Sequence, residues 1–178
     1  MTDDSKDWIT VAALPQLGAS SIKTLWEAGW TPARILNASP VEWQRLGFKK
    51  ATIKELTALA AKQPCATQTR IDSVDHWLAL TDHAQVLAIT HEDYPALLRE
   101  ISDPPPVLFI QGNPTVLSLP QIAIVGSRHA STSGIKHAQG FARFLGANGL
   151  VITSGLALGI DAAAHQGCLK VSSSPLGC

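Results

Sequence analysis

The sequence predicts an α/β protein: a small helical module followed by the first part of a Rossmann-like parallel sheet. Three observations carry that expectation. Apolar residues recur at helical spacing through the first sixty positions. A stiff stretch, Asp103-Pro104-Pro105-Pro106, then excludes helix. Beyond it, short continuous apolar runs alternate with helical patterns, the β-α-β-α order of a parallel sheet with right-handed crossovers.

The elements follow in order. Ile22, Leu25 and Trp26 mark one apolar helix face that begins near Ser20 and stops at Gly29. Thr31-Pro32 restarts a helix through Ile35 and Leu36, with threonine at the cap and proline in the first turn. Ser39-Pro40 repeats the device ahead of Val41, Trp43 and Leu46, and Gly47 ends it. Ile53, Leu56, Leu59 and Ala60 stripe a last helix from about Ala51. Residues 1–63 thus form a compact all-α module, similar to helix-hairpin-helix or sterile-alpha-motif units. Leu17-Gly18-Ala19 is its candidate hairpin, although an ordinary capped turn is the simpler reading. Trp8, Trp26, Trp30 and Trp43 fall at helical spacings that suit core packing better than base stacking.

Residues 64–106 read as an acidic connector, with a short helix over 74–80, a strand at 86–89 and a turn at His91–Pro95. Residues 107–178 read as an incomplete Rossmann-like domain. Val107–Ile110 and Ile122–Val125 suit strands buried on both faces. A helix over 131–149 places Ile135, Ala138, Phe141, Ala142 and Leu145 on one side. Leu150–Thr153 is the next strand, and a helix begins at Asp161.

Charge sharpens this division. The chain carries 14 basic and 14 acidic side chains, a formal net charge of zero. Residues 1–63 hold eight basic against six acidic groups, and residues 64–106 hold two against seven. Residues 107–178 hold Arg128, Lys136, Arg143 and Lys170 against the single Asp161. The balance excludes a highly basic nucleic-acid coat and a charge-driven disordered chain. The last segment suits an anionic partner, or simply a buried half with little surface to charge. The count alone favours the second. The start, MTDDSKDW, lacks an apolar signal core, and no stretch reads as a membrane span. Cys65, Cys168 and Cys178 form no CxxC pair, so a cytoplasmic protein with free thiols is expected.

In a parallel sheet, ligands sit at the carboxyl ends of the strands. Both apolar strands end there in small polar residues. One leads into Gly126-Ser127-Arg128, with Ser131–Gly134 opening the next helix. The other leads into Ser154-Gly155-Leu156-Ala157-Leu158-Gly159-Ile160-Asp161. If the strands are neighbours, both loops share one edge. Glycines there let backbone N–H groups approach an anion, and Arg128 offers a planar fork for phosphate. Neither GxGxxG nor GxxxxGK[ST] is present, and glycines at strand ends also occur for purely structural reasons. Asp161 and His165 stand four residues apart on a helix; with no third ligand at hand, a capping Asp161 and a packed, hydrogen-bonded His165 fit better than a metal site. The remaining histidines show no ligand spacing, so no metal or cofactor is expected. Ser127 lacks a base and orienter for hydrolase chemistry.

Taken in order, these residues resemble the DNA-processing protein A family (DprA, also called Smf). The matching series is Tyr94-Pro95, Leu98, Ile101, Asp103-Pro104-Pro105, Val107-Leu108, Gly112 and Ile122–Arg128. It continues through Gly134, Ala138, Leu145, Gly149 and Ser154–Asp161 to Ala164-His165. The resemblance is close over about residues 86–170 and looser over the helical module. It implies a Rossmann-like, non-catalytic module that binds single-stranded DNA and helps load the RecA recombinase in natural transformation. On that resemblance Gly126, Ser127 and Arg128 hold DNA phosphate, and Ser154, Gly155 and Gly159 shape the adjoining wall. Lys136 and Arg143 are weaker electrostatic candidates, because either can simply solvate a helix face.

Two departures qualify the resemblance. Ser133 stands where the family tends to place an aromatic, which removes one stacking platform. After Leu169-Lys170 the chain runs into Val171–Cys178, a tail that is expected to match nothing in the family and to mark a C-terminally truncated member. The resemblance then makes a family-like homodimer doubtful. Two other readings stay open: a fragment similar to the LOG nucleotide phosphoribohydrolases, and a non-functional remnant.

Overall fold

The computed structural model describes residues 3–171. They form two compact units, one ending at Gly112 and the other beginning at Asn113.

Six helices and an antiparallel strand pair build the first unit: α1 (Asp3–Ala13), α2 (Ala19–Glu27), α3 (Pro32–Leu36), α4 (Pro40–Arg45), α5 (Lys50–Ala60), α6 (Ala66–Leu80), β1 (Ala84–Ala88) and β2 (Val107–Gln111), with the single turn of helix α7 (Ala96–Arg99) between the strands. The two expected caps form. Thr31 Oγ1 accepts the Arg34 N–H at 3.2 Å. Ser39 and Glu42 make a reciprocal capping box at α4, each side chain satisfying the other's backbone N–H. Trp8 and Trp43 are buried, and Trp26 meets Trp8 edge to face with ring centroids 6.0 Å apart. Trp30 packs at the core edge beneath the Arg34 guanidinium, 3.9 Å from its ring. The indoles thus serve the core.

The acidic stretch is packed onto this unit, not strung out as a connector. α6 is twice as long as the expected helix, because the Cys65 sulfur caps its start and Glu55 anchors its first turn. Arg70 donates to the Ala13 carbonyl (2.7 Å) and Lys23 to the Ile101 carbonyl (2.9 Å). The Tyr94 hydroxyl donates to the Pro105 carbonyl at 2.8 Å. Burial raises the Tyr94 pKa, opposed by the nearby Arg99.

β2 departs from expectation. It pairs antiparallel with β1, from Ala84 opposite Gln111 to Ala88 opposite Val107, so it belongs to the first unit. From Leu108 onward its burial alternates, with Leu108 and Ile110 half-buried and Phe109 and Gln111 exposed, while Val107 is buried at the strand's start. The division between units therefore falls after Gly112 instead of at 106/107.

Glu55 joins α5 to α6. Its carboxylate accepts both the N–H and the hydroxyl of Thr67, each at 2.7 Å, and these bonds hold its pKa below the ordinary carboxylate value. On acidification the unfolded chain protonates at this position first. The contribution is complete above the ordinary carboxylate pKa and is lost as pH falls through the lowered folded value. Glu55→Gln should therefore cost about 1 kcal/mol at neutral pH, a value kept small by solvent access to the carboxylate. Urea midpoints of the wild type and the variant should converge as the pH is taken below the ordinary carboxylate value. A gap that stayed constant with pH would contradict this role.

The second unit contains a 3-10 turn (Pro114–Ser118), β3 (Gln121–Ala123), α8 (Thr132–Ala147), β4 (Val151–Thr153) and α9 (Ile160–Leu169). β3 and β4 are parallel neighbours, with Ile122 opposite Ile152. Its core is Ala142, Ile152, Ala164 and Cys168, with Ile124 and Leu145 packed beside them. α8 and α9 touch closely: a Cβ on Gly167 would collide with the Gln139 backbone, so only glycine permits that approach. β3 is exposed at all three positions, against the expectation of burial on both faces, because among the described residues β4 is its only strand neighbour. Cys65 carries a free thiol, whereas Cys168 is disulfide-bonded, so free thiols are not general. Cys178 and the rest of the 172–178 tail lie outside the described residues. No helix among the described residues is long and apolar enough to cross a membrane.

Candidate nucleic-acid interface

Because β3 and β4 are parallel neighbours, their carboxyl-terminal loops lie side by side. Ile124 N–H continues the ladder to the Thr153 carbonyl at 3.0 Å, and the Ser154 hydroxyl donates back to the Ile124 carbonyl at 2.7 Å. Further out, the Ile160 N–H donates to the Ser127 carbonyl at 3.2 Å. Gly126 has no room for a Cβ, which would stand 2.7 Å from Ile160 Cγ1. Gly159 has φ +82°, and a Cβ there would collide with the Ser127 and Arg128 carbonyls. The two loops are thus one piece of structure.

Gly126, Ser127 and Arg128 are all exposed on this edge. The Ser127 Oγ accepts the His129 N–H at 3.1 Å, so its own proton stays available to a ligand acceptor. Ser131 caps α8 by accepting the Gly134 N–H at 3.1 Å, and the first turn of that helix holds no acidic residue. An anion there meets a helix N-terminus with no opposing carboxylate. Lys136 and Arg143 are exposed along α8.

The second loop is arranged differently from expectation. Gly159, not Asp161, occupies the N-cap position of α9. Asp161 is only 6% exposed, and its carboxylate accepts the Gly155 N–H at 3.1 Å. Gly155 therefore shapes the wall without offering its N–H to a ligand. Two of the opening N–H groups of α9 are also taken, Ile160 by the Ser127 carbonyl and Ala162 by the Ala157 carbonyl at 3.0 Å. His165 is packed in α9, but its Nε2 is buried without a hydrogen-bond partner among the described residues, against the expectation of a bonded imidazole.

Leu156 and Leu158 escape the sequence reading. They stand 83% and 76% exposed on the second loop, and Leu156 adopts φ 57°. The signal is their placement: two leucines between glycines in a loop have no strand or helix face to join. Among the described residues no three His, Cys, Asp or Glu side chains gather as a metal site.

Fold and loops together define an α/β protein whose glycine-rich loops sit side by side at the carboxyl edge of parallel strands. The chain belongs to the DNA recombination-mediator protein A family, whose model matches residues 85–177 and so includes every residue of this edge. That match also enters the 172–178 tail, where no family pattern was expected. The DNA processing protein DprA of Streptococcus pneumoniae is 46% identical over 83 residues, covering 47% of this chain and 29% of that protein. The protein Smf of Escherichia coli is 38% identical over 169 residues, covering 95% of this chain and 42% of that protein. The chain thus spans well under half the length of these curated relatives. The X-ray structure of DNA processing protein A from Streptococcus pneumoniae superposes with a TM-score of 0.63 at 26% identity, over 97% of this chain and 56% of that one.

Proposed function

We propose that the β3/β4 loop edge binds single-stranded DNA through its phosphates, as part of a DNA-processing module that serves RecA loading in natural transformation. One observation carries the reading. The loops form a single exposed edge bearing Arg128, while the one carboxylate of residues 107–178, Asp161, is turned inward onto Gly155. Nothing negative on that segment opposes a phosphate. Gly126 allows close approach, the Ser127 hydroxyl donates, and the Arg128 guanidinium supplies a charged fork. Ser154, Gly155 and Gly159 hold the wall behind them, and Lys136 adds long-range attraction. Leu156 and Leu158 give bases an apolar surface where Ser133 provides no ring. The module acts by binding, in the cytoplasm, without catalytic turnover.

Binding of labelled oligo-dT over a salt series tests this. Log affinity should fall linearly with log salt, and Arg128→Ala should weaken binding about tenfold or more at low salt while reducing the slope by about one. An unchanged affinity in Arg128→Ala would remove the edge as the site. Release of free base from a nucleoside monophosphate would instead favour phosphoribohydrolase chemistry.

A further inference from the structure

Leu156 is the residue of the second loop that the fold gives least reason to keep. It holds φ 57°, in the left-handed region that leucine rarely adopts, and its side chain is exposed. Among the described residues, the other non-glycine residues at positive φ are Gln16, Lys62 and His83, all polar. Glycine would suit the backbone of position 156 better, and no burial of the leucine side chain offsets the strain. Leu158, two residues on, is exposed as well. Neither conformation nor packing accounts for an apolar side chain here, which leaves its contact surface as the reason for it.

The backbone is clamped on both sides of this residue. Immediately before Leu156, the Gly155 N–H donates to the buried Asp161 carboxylate at 3.1 Å. Immediately after it, the Ala157 carbonyl accepts the Ala162 N–H at 3.0 Å. Both partners lie in the opening turn of α9, so that helix fixes the loop from one side. The Ser154 hydroxyl ties the start of the loop to the Ile124 carbonyl. The fit around Asp161 is close: a Cβ on Gly155 would stand 2.9 Å from its Oδ2. Leu156 is thus held in an unfavourable conformation by bonds to its two neighbours, and one of those bonds depends on a single side chain.

We propose that Asp161 is a positioning residue: by holding the Gly155 N–H it keeps Leu156 in its left-handed conformation, so that Leu156 and Leu158 present an apolar contact to the bases of a bound single strand. The inference rests on the loop-edge reading and divides the work of that edge between its two loops. The Gly126–Arg128 loop meets phosphate, and the second loop, whose Gly155 N–H is already taken, meets base. An apolar contact of this kind is tolerant of sequence, because every base offers a similar face.

Fluorescence anisotropy on the full chain, with labelled oligo-dT and with an abasic deoxyribose-phosphate oligomer of the same length, separates base contact from phosphate contact. The wild type should bind oligo-dT about tenfold more tightly than the abasic strand. Asp161→Ala and Leu156→Gly should each bring oligo-dT affinity down to the abasic level, with the abasic affinity and the salt slope unchanged. Asp161→Asn keeps an oxygen acceptor for the Gly155 N–H and should restore the oligo-dT advantage. Leu156→Gly should also hold or raise the thermal midpoint, because glycine accepts positive φ without strain, so its lost affinity is not lost folding. Equal loss on both strands in Asp161→Ala, or no restoration in Asp161→Asn, overturns the assignment. A wild type without preference for oligo-dT, in which Arg128→Ala still weakens both strands, overturns the base contact and leaves the phosphate edge standing. Affinity unchanged by Arg128→Ala removes the loop edge and this inference with it.

Discussion

Replacing Gly159 with alanine is expected to unlock the second unit and to abolish binding at the loop edge. The residue sits at φ +82° and ψ −123°, a backbone region that essentially only glycine occupies. That conformation alone costs an alanine about 1–3 kcal/mol. The collision adds to it, because the new methyl would meet the Ser127 and Arg128 carbonyls. Relief requires the two loops to part, which breaks the Ile160 to Ser127 bond and moves Arg128 away from the edge. The small core of Ala142, Ile152, Ala164 and Cys168 has little free energy to resist that strain. Amide exchange should show the opening of α9 and residues 154–159 losing protection, while α1 to α6 keep theirs. Wild-type protection throughout the second unit would show that the loop junction is not structural.

Trp43→Ala should cost the first unit about 3–5 kcal/mol. The indole is 2% exposed within the core of α1 to α5, and its Nε1–H donates to the Ile35 carbonyl at 2.8 Å. Truncation opens a cavity and also removes the shorter of two donors to that carbonyl, leaving it the Ala38 N–H at 3.4 Å. Trp43→Phe separates the two losses, since it keeps most of the ring and removes only the donor. Urea unfolding followed by far-ultraviolet circular dichroism should place the midpoints in the order wild type, Phe, Ala. Equal midpoints for Phe and Ala would mean that the hydrogen bond, not the packing, dominates.

The parts of this fold that were legible in the sequence are those specified locally. α3 and α4 follow from Thr31-Pro32 and Ser39-Pro40, because cap and proline write their own start. α8 follows from the Ser131 cap and its Ala138/Ala142 stripe. The β2 pairing was not legible, because an apolar run announces a strand but not its partner. Val107–Ile110 fits the middle of a parallel sheet as well as an antiparallel pair with β1. The length of α6 was hidden for a related reason: its start is held by Glu55, eleven residues before the helix begins.

The candidate site divides the same way. That both loops share an edge follows from the β-α-β order, and Gly126 and Gly159 stand out by residue type. Asp161 does not: two residues inside a helix, it reads as a cap, and only the tertiary fold shows its carboxylate turned back onto Gly155.

The uneven cores of the two units bear on how the chain melts. The first unit buries large side chains, including Trp8, Trp43, Ile35 and Leu56, whereas the second rests mainly on alanines, one isoleucine and one cysteine. Such partners reach their midpoints at different denaturant concentrations, so a single transition fitted to the whole chain would average two equilibria. Its apparent slope would fall below that of either unit, and its extrapolated free energy would describe neither. Stability in this protein is a pair of numbers, and the smaller one governs how often the Gly126–Arg128 loop holds its folded position.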